Sequence, residues 1–505
     1  MQSNTLTKSK YVRGLQCHKS LWLLMKGDVT PEPHSELSKA IFDEGNKVGK
    51  KAQELFPGGK LVEYEGSDID EKIAETKEWI ASGESTIYEA TFKFDDIVVM
   101  VDILTKGKNG WEFYEVKSAA NVYNTSSEVK IKDIYVNDIA IQYYVLKGSG
   151  LDISSSFLVH INGQYVRQGP LEKEKLFSIV DLTEDTIDAQ KGIVDELKTI
   201  REALGGDEPE IKIGVYCNEP DECEFKAHCW KDIPKDNTVF NINGLKSSKK
   251  FELYESGVTM FEDIRDNFSL SDNQRLQVEA ELSGKETVDL EQINNFLNNL
   301  WYPLCFLDFE TITQVVPEWD GIMPYKPIPF QYSIHFIKQE GDRPLHLDFL
   351  DEEYSDPRKK LIDSLIKHIP KEACILAWTD YEGRQIRNLA QQFPDCSSHL
   401  LNFDKNIIDL SIPFKEKYFY KKEMKGSYSI KKVLPALLGH SPYSEMDINE
   451  GLGASNSFKK LMSKKDLTPH DREKIKNDLK IYCRQDTQSM IDVLECLKAV
   501  AKKPL

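Results

Sequence analysis

The pattern of apolar and polar residues divides the chain into three segments. Residues 1–235 mix helical and strand patterns and end in a cysteine-rich stretch followed by Pro234. Residues 236–290 look helical and polar. Residues 291–505 open with an apolar strand and then alternate strands with helices, which is typical of α/β units. We therefore predict a multidomain α/β protein in which a small helical linker joins two larger domains.

A predicted hairpin in the first segment carries chemically useful side chains. The strand IVVMVDIL and the strand WEFYEVK flank a polar turn, KGKNG, and we expect Asp102 to close the first strand. Glu115 and Lys117 share one face of the second strand, because side chains two positions apart point the same way. Two carboxylates can hold Mg²⁺ or Mn²⁺ while a lysine orients or deprotonates water. The alternative is an exposed hairpin with a surface ion pair.

The surroundings of this hairpin extend the pattern. Gln142 follows on a predicted helix, NDIAIQYYVLKG. An Asp, a hairpin with Glu-x-Lys and a downstream Gln resemble the PD-(D/E)xK nucleases, particularly the RecB-like group that includes CRISPR-associated adaptation nucleases. The resemblance implies a restriction-endonuclease-like fold for residues 1–235. It also implies that Asp102 and Glu115 bind metal, that Lys117 is catalytic and that Gln142 helps to hold the site.

Two positions depart from that family's pattern. The segment IFDEGNKVGKKAQELF resembles the first helical motif of the family, beginning at Gly45, but many relatives carry a metal-binding His where Gly49 stands. The Tyr that often follows the family's Gln is replaced by Leu146. A third metal ligand is then left to Glu44 or Glu89.

Four cysteines form a second candidate site. The set is Cys17, Cys217, Cys223 and Cys229, the last three at intervals of six. Closely spaced cysteines in a reducing compartment indicate a metal, and zinc prefers closer Cys-x₂₋₄-Cys pairs. The set resembles the iron–sulfur staple of RecB-like nucleases, which implies a 4Fe–4S cluster that ties the N-terminal helix to the end of the domain. His18 and His228 are possible substitute ligands, and four buried free cysteines are the alternative to a metal site.

A second acidic pattern lies in the last segment. The strand YPLCFLDFETI puts Asp308 and Glu310 on one face, and the helix DLKIYCRQDTQSMIDVL puts Tyr482 and Asp486 at i and i+4. Glu382 follows the ILAW strand between them. In this order the residues resemble the Tyr-bearing subgroup of the DEDD exonucleases, on a ribonuclease-H-like fold. The resemblance implies that the four carboxylates bind two divalent ions and that the Tyr hydroxyl orients the nucleophile.

Neighbouring residues leave some assignments open. Family members usually carry Asp where Glu382 stands, so Asp380 is a second candidate ligand. Asp409 lies where relatives often have a supporting acid, and the stretch SYSIKKVLP near Tyr428 resembles the helix that precedes the third motif. The alternative is an α/β domain with ordinary acids at its strand ends.

The net charge of −18 argues against a broad electrostatic surface for nucleic acid. Divalent ions neutralise catalytic carboxylates, however, so only the path to the site needs to be basic. Residues 415–432 interleave lysines with aromatic residues, which suits single-stranded nucleic acid, but the aromatics fit a protein core equally well. A second, weaker basic patch is predicted near the N-terminus. It comprises Lys8, Lys10, Arg13 and Lys19.

The longest apolar runs are strand-length and the N-terminus has no apolar signal core, so we expect a cytoplasmic protein without a membrane partner. Over nearly its full length the chain resembles bacterial proteins that fuse a RecB-like nuclease to a DEDD-like exonuclease. The expected activity is hydrolysis of DNA in processing, repair or defence. The DEDD-like site is expected to degrade single strands in the 3′ to 5′ direction. The alternatives are an RNA-processing 3′–5′ exonuclease and a nucleic-acid-binding scaffold with a decayed site.

Overall fold

The chain divides into two compact units. A computed structural model describes residues 5–27, 29–33, 36–63, 68–124, 130–265, 268–353, 355–444, 446–448, 450–463 and 467–502. Unit 1 comprises Met1–Ile233 and Gln314–Lys326, and unit 2 comprises Pro234–Thr313 and Pro327–Leu505. Residues 236–290, predicted as a linker, lie inside unit 2. Both units mix helices with strands, so the α/β multidomain class is confirmed.

Unit 1 is built on a mixed sheet. Its strands are β1 (Leu6–Thr7), β2 (Lys60–Leu61), β3 (Thr86–Phe94), β4 (Ile97–Lys106), β5 (Trp111–Lys117), β6 (Ile153–Ile161) and β7 (Phe177–Asp181). They follow the order β2-β3-β4-β5-β6-β7, with β1 parallel to β4. β5 has the predicted bounds. The prediction that Asp102 closes its strand is wrong, because apolar residues carry β4 on to Lys106.

Helices cover the sheet of unit 1. They are α1 (Lys8–Gln16), α2 (His18–Lys26), α3 (Glu36–Gln53), α4 (Ile69–Ser82), α5 (Asp133–Gly148), α6 (Lys173–Leu176), α7 (Thr183–Gly205) and α8 (Lys226–Cys229). One apolar cluster joins the sheet to α1, α5 and α7 and includes Phe92, Ile141 and Ile200. A second cluster joins α3 to the sheet through residues such as Val48 and Tyr114. The strands that carry the predicted acids are therefore held between apolar layers.

Unit 2 contains a second sheet. The strands of unit 2 are β8 (Thr287–Val288), β9 (Leu304–Ile312), β10 (Ile328–Ile337), β11 (Leu345–Leu350), β12 (Cys374–Ala377), β13 (Ile407–Asp409) and β14 (Phe419–Tyr420). Five of them form the sheet in the order β11-β10-β9-β12-β13, and β14 pairs separately with β8. β9 lies antiparallel to β10 and parallel to β12. The strand that carries Asp308 and Glu310 is thus central in its sheet.

The helices of unit 2 bring the remaining acids to this strand. They are α9 (Ser247–Glu255), α10 (Asp272–Ser283), α11 (Leu290–Asn298), α12 (Arg358–His368), α13 (Tyr381–Gln392), α14 (Pro394–Lys405), α15 (Ile412–Lys415), α16 (Ile430–Leu438), α17 (Gly451–Met462) and α18 (Pro469–Ala501). Thr468 and Asp471 form a capping box that starts α18, and Pro469 occupies its first turn. None of the helices among the described residues combines the length and the apolar character that crossing a membrane requires.

Candidate functional sites

Four carboxylates of unit 2 face one cavity. β9 supplies Asp308 and Glu310, the first turn of α13 supplies Glu382, and α18 supplies Asp486. They line a cavity of about 390 Å³. Acids from three elements, nearly 180 positions apart at the extremes of the sequence, therefore converge as the sequence predicts.

The shared burial of these acids opposes their ionisation. Glu310, Glu382 and Asp486 are 6%, 3% and 8% exposed. Burial and repulsion from Asp486 hold the pKa of Asp308 and that of Glu310 well above the ordinary range. Burial raises the pKa of Glu382 to about 8 and that of Asp486 to about 6. Such a group needs either protons or cations.

The spacing of the ligand atoms suits a cation. One ligand atom each from Asp308, Glu310 and Cys483 lies within 4.8 Å of the others, and no other His, Cys, Asp or Glu trio in the described part of the chain is as close. Burial raises the pKa of Cys483 far above its usual value and keeps its side chain a neutral thiol. The ligands that this trio offers to a hard divalent ion are therefore the carboxylate oxygens of Asp308 and Glu310. Glu382 also carries a buried Oε2 for which the described residues provide no hydrogen-bond partner.

Lys431 and Tyr482 line the same cavity, and Tyr443 packs beside them. Lys431 at the start of α16 donates from Nζ to Tyr482 Oη at 2.9 Å and lies over the rings of Tyr482 and Tyr443, 5.0 and 5.3 Å from their centroids. Tyr443 donates to Asp486 Oδ1 at 2.7 Å. Tyr482 and Asp486 are both buried on α18, in agreement with their predicted i, i+4 relation. Sequence reasoning missed Tyr443 and assigned Lys431 no role at the site.

The open assignments around Glu382 are resolved by position. Asp380 is exposed, accepts a hydrogen bond from Arg387 at 2.8 Å and is not among the described residues that line the cavity, so Glu382 is the acid that faces it. Asp409 accepts from the backbone N–H groups of Thr379 and Ser411 at 2.9 and 2.8 Å. Thr379 has φ of 72°, a strained conformation for a β-branched residue. Asp409 thus stabilises the turn that presents Glu382.

The residues predicted in unit 1 also come together. Gln142 on α5 donates to Glu115 Oε2 at 2.8 Å, and Lys117 donates to Glu115 Oε1 at 2.7 Å. Asp102 on β4 accepts from the backbone N–H of Val116 at 2.6 Å. Asp102 lies close enough to Glu115 for their charges to interact, and burial together with this repulsion raises the pKa of Asp102 to about 8.

Two residues that sequence reasoning did not place here join this cluster. Asp138 on α5 accepts from Lys117 at 2.5 Å. Lys8, the first residue of α1, lies 2.7 Å from Glu115 Oε1 and 3.5 Å from Asp138 Oδ1. Burial alone would raise the pKa of Glu115, but Lys117 and Lys8 outweigh it and hold that pKa below its ordinary value. The unit 1 cluster therefore contains its own cations.

Of the two acids considered as a third metal ligand in unit 1, Glu89 is better placed than Glu44. Glu89 and Asp102 both lie between the Tyr88–Ile103 and Ala90–Val101 pairs of β3 and β4, and burial and repulsion from Glu115 raise the pKa of Glu89. Glu44 instead pairs with Lys47 at 3.1 Å. At Gly49 an added Cβ would meet no atom within 4 Å, so this part of α3 has room for a side chain.

The four predicted cysteines line one small cavity of unit 1. The cavity has a water-accessible volume of about 20 Å³, and Lys19, Lys212 and Lys226 also line it. Every cysteine of the chain is a free thiol. Burial raises the pKa of Cys17 and raises that of Cys229 to about 11, so these two thiols would have to lose their protons to bind a metal.

The two histidines near this cavity are not among its described lining residues. His228 Nε2 instead lies 3.0 Å from Glu208 Oε1. The donors that converge on the cavity are therefore four soft sulfur atoms, which suit iron–sulfur clusters and other soft metal centres.

The predicted basic surfaces are smaller than the sequence indicates. Lys8, Arg13 and Lys19 pair with Glu115, Glu224 and Glu208 at 2.7, 2.7 and 2.8 Å, so the N-terminal cations do not form an exposed patch. Within residues 415–432, Phe419 and Tyr420 are buried in the core, whereas Tyr428 is 37% exposed. The core interpretation therefore holds for two of the interleaved aromatics.

Comparison with known proteins places unit 2 beside a family without an assigned activity. The family described as "Domain of unknown function (DUF2779)" matches residues 305–429, which include Asp308, Glu310 and Glu382. The chain is also similar to the "Uncharacterized protein UU173" of Ureaplasma parvum serovar 3 (strain ATCC 700970), with 25% identity over 211 residues. That similarity covers 37% of this chain and 30% of the relative, so the match spans less than a third of the relative's length.

Proposed function

We propose that the protein is a metal-dependent nuclease that hydrolyses DNA phosphodiester bonds in processing, repair or defence. Unit 2 would carry a DEDD-type 3′–5′ exonuclease site and unit 1 a RecB-like site. The observation that carries the proposal is the cavity of unit 2, where four carboxylates meet, three of them buried, and Lys431 is the one lysine or arginine among the described lining residues. A protein gains nothing in stability from such a group without a cation.

The donor set of the cavity suits Mg²⁺ or Mn²⁺. Asp308, Glu310, Glu382 and Asp486 would hold two such ions through hard oxygens, and the orphaned Oε2 of Glu382 offers a free ligand atom. Ions in such a pair lower the pKa of a bound water and stabilise the leaving oxygen. Tyr482 is suited to orient the attacking water, because Lys431 donates to its oxygen and leaves its O–H group to act as a donor.

The architecture of unit 2 supports this assignment. Its sheet has the first long strand at the centre, antiparallel neighbours on one side and parallel neighbours on the other, as expected of a ribonuclease-H-like fold. A cavity of about 390 Å³ is in the size range of pockets for small ligands. It suits one terminal nucleotide of a single strand better than a duplex.

The cluster of unit 1 supports a RecB-like site with a restriction-endonuclease-like fold. Asp102 and Glu115 are the proposed ligands for Mg²⁺ or Mn²⁺, with Glu89 as the third. Lys117 contacts Glu115 and Asp138, which raise its pKa and keep it an ammonium, so it can orient a water beside the ligands. Gln142 holds Glu115 through its other oxygen.

The cysteine cavity supports a 4Fe–4S cluster. A single tetrahedral zinc ion with bonds of about 2.3 Å would need thiolates about 3.8 Å apart. Among the described residues, no three of these four sulfurs lie within 4.8 Å of one another. This wider spacing favours a larger inorganic group, and four thiolates suffice for a four-iron cluster. Cys17, Cys217, Cys223 and Cys229 would hold it. The cluster would have a structural role there, because it would join the two ends of residues 17–229.

End-labelled DNA and RNA, single- and double-stranded, test the proposal in the presence of Mn²⁺. Asp308→Ala should abolish stepwise 3′ degradation of single-stranded DNA, and Lys117→Ala should remove the remaining cleavage. Asp380→Ala is the matched control in unit 2, because this exposed acid lies outside the cavity. Lys108→Ala, in the polar hairpin turn, is the control in unit 1.

Each result of this experiment has a definite meaning. Cleavage that survives both Asp308→Ala and Lys117→Ala would refute the two-site proposal. Degradation of RNA in preference to DNA would replace it with an RNA-processing exonuclease. For the cluster, anaerobically purified protein should be brown and contain iron. A colourless protein with stoichiometric zinc would rule the iron–sulfur assignment out.

A further inference from the structure

Helix α1 connects the two candidate sites of unit 1. Its first residue is Lys8, and Cys17 is the cap at its C-terminal end. At about 1.5 Å per residue this helix is about 14 Å long. One short element therefore has a lysine of the carboxylate cluster at one end and a member of the cysteine set at the other.

The N-terminal end of α1 reaches the carboxylates through Lys8. Its Nζ lies 2.7 Å from Glu115 Oε1 and 3.5 Å from Asp138 Oδ1. The Glu115 side chain is 2% exposed, so this ammonium is a substantial part of what balances its charge. Just before Lys8, the two residues of β1 pair with β4, so the helix starts from a short anchor on the sheet.

The C-terminal end of α1 is clamped to the cysteine loop, which we define as residues 214–229. Gln16 Nε2 donates to the backbone oxygens of Tyr216 and Asp221, both at 2.8 Å. Arg13 Nη2 pairs with Glu224 at 2.7 Å. Tyr216 precedes Cys217 and Glu224 follows Cys223, so the clamp holds the loop beside its cysteines.

The middle of α1 leaves little room to absorb a movement. A Cβ added at Gly14 would lie 2.9 Å from the Ile200 side chain, so the helix backbone lies directly against α7. Tyr11 is 1% exposed and donates to Glu196. A helix packed this closely moves as a rigid body, and a shift at one end is passed to the other.

We propose that Lys8 is a positioning residue of the unit 1 carboxylates and that α1 makes its contact with Glu115 and Asp138 depend on the cysteine loop. When the loop opens, Gln16 and Arg13 lose their partners, α1 shifts as a rigid body against α7, and Lys8 is displaced from Glu115. The metal held by the cysteines would thereby set the charge balance of the nuclease site. This inference rests on the proposed function where it calls these carboxylates metal ligands and where it gives the cysteines a metal.

Zero-length carbodiimide cross-linking reads the Lys8 contact directly, because it joins an amine to a carboxylate that it touches. Peptide mass spectrometry should find Lys8 joined to Glu115 or Asp138 in the full-length protein. Gln16→Ala should lower that yield at least fivefold, and removal of iron by a chelator should do the same. Asn162→Ala is the matched control, because it also removes an amide-to-carbonyl hydrogen bond, to Lys175 at 2.9 Å, away from α1.

Hydrogen exchange on the same samples shows whether the clamp exists. Gln16→Ala should speed the exchange of residues 214–229, and Asn162→Ala should not. Absence of the Lys8 cross-link in the unmodified protein would overturn the inference. So would an unchanged yield in Gln16→Ala, whether or not the loop exchanges faster.

A charge test separates positioning from a merely structural role. In an Asp308→Asn background, Lys8→Met should tighten Mn²⁺ binding to unit 1 at least fivefold, because an ammonium no longer competes for Glu115. Lys8→Arg should stay within twofold of Lys8, and weakening by both changes would contradict a positioning role. If Mn²⁺ binds no variant, the proposed function of unit 1 fails, and the cross-linking result still decides the coupling.

Discussion

In unit 1, Glu115 accepts hydrogen bonds from Lys8 and Lys117, whereas in unit 2 the acids around Asp308 share one lysine, Lys431, which donates to a tyrosine instead. Burial acts on both groups, yet the pKa of Glu115 is lowered and that of Glu310 is raised well above its usual value. For Glu115 and Glu310, the number of nearby cations decides the direction of the pKa shift. Unit 1 carries its counter-charges in the chain, and unit 2 leaves them to be supplied from solution.

The largest expected effect is a change of opposite sign in the two units. Glu115→Gln should destabilise unit 1 by about 3 kcal/mol, because it removes a buried carboxylate that Lys8 and Lys117 share and leaves Asp138 as their remaining partner. Glu310→Gln should stabilise metal-free unit 2 by about 1 kcal/mol, because it relieves repulsion. Thermal unfolding in a chelator at pH 8, with hydrogen exchange to assign each transition, measures both. Loss of stability in both units would break the comparison.

A dependence on Mn²⁺ and pH should belong to unit 2. The pKa values of Asp486 and Glu382, about 6 and about 8, lie above the ordinary values, so metal-free unit 2 holds protons that its unfolded chain has lost. Its stability therefore falls as the pH rises through this window. Saturating Mn²⁺ at a hundredfold excess over Kd should restore about 2.7 kcal/mol. Melting temperatures at pH 6, 7 and 8 should show a growing shift with Mn²⁺, and a shift that shrinks with pH would contradict the scheme.

A smaller effect distinguishes two neighbouring lysines of α1. Lys8→Met should cost about 2 kcal/mol, because it removes charge-assisted bonds to buried acids. Lys10→Met should change the stability by less than about 0.5 kcal/mol. Lys10 Nζ donates to the Thr5 carbonyl, a neutral acceptor. Chemical denaturation at pH 7 compares them, and equal losses would mean that Lys8 is an ordinary surface lysine.

The smallest effect concerns Tyr443. Tyr443→Phe removes one hydrogen bond to Asp486, worth about 1 kcal/mol. Since that bond lowers the pKa of Asp486, the variant should bind Mn²⁺ only at higher pH, with the midpoint displaced upward by about one unit. Calorimetric titration across pH 5–8 detects this displacement. Tyr428→Phe is the control. The backbone oxygen of Tyr428 accepts a hydrogen bond from Trp378, and this substitution keeps that oxygen.

Local patterns were sufficient for the elements that carry most of the candidate residues. The alternation in WEFYEVK predicts β5 with its bounds, and the i, i+4 spacing of Tyr482 and Asp486 places both on one helix face. These relations depend on a few consecutive residues, whose periodicity is visible in the chain itself. The end of β4 was missed because apolar residues continue past Asp102.

The missing members of each cluster are contacts between distant segments. Lys8 and Glu115 are 107 positions apart, and Tyr443 and Asp486 are 43 apart. A lysine in an N-terminal polar stretch has the same local pattern whether it faces solvent or a buried acid, and here it was interpreted as part of a basic patch. Only the tertiary fold distinguishes the two.

The segment Gln314–Lys326 leaves unit 2 directly after the acid-bearing β9 and belongs to unit 1, where Arg167 donates to the Pro317 oxygen and Val315 is buried. The chain therefore passes from one unit to the other more than once, and no single cut separates them. A gene fragment that starts at Pro234 would retain a piece of its neighbour with an apolar side chain exposed. Separate expression of the two units requires this segment to be replaced by a short turn from Ile312 to Ile328, which already pair across the hairpin.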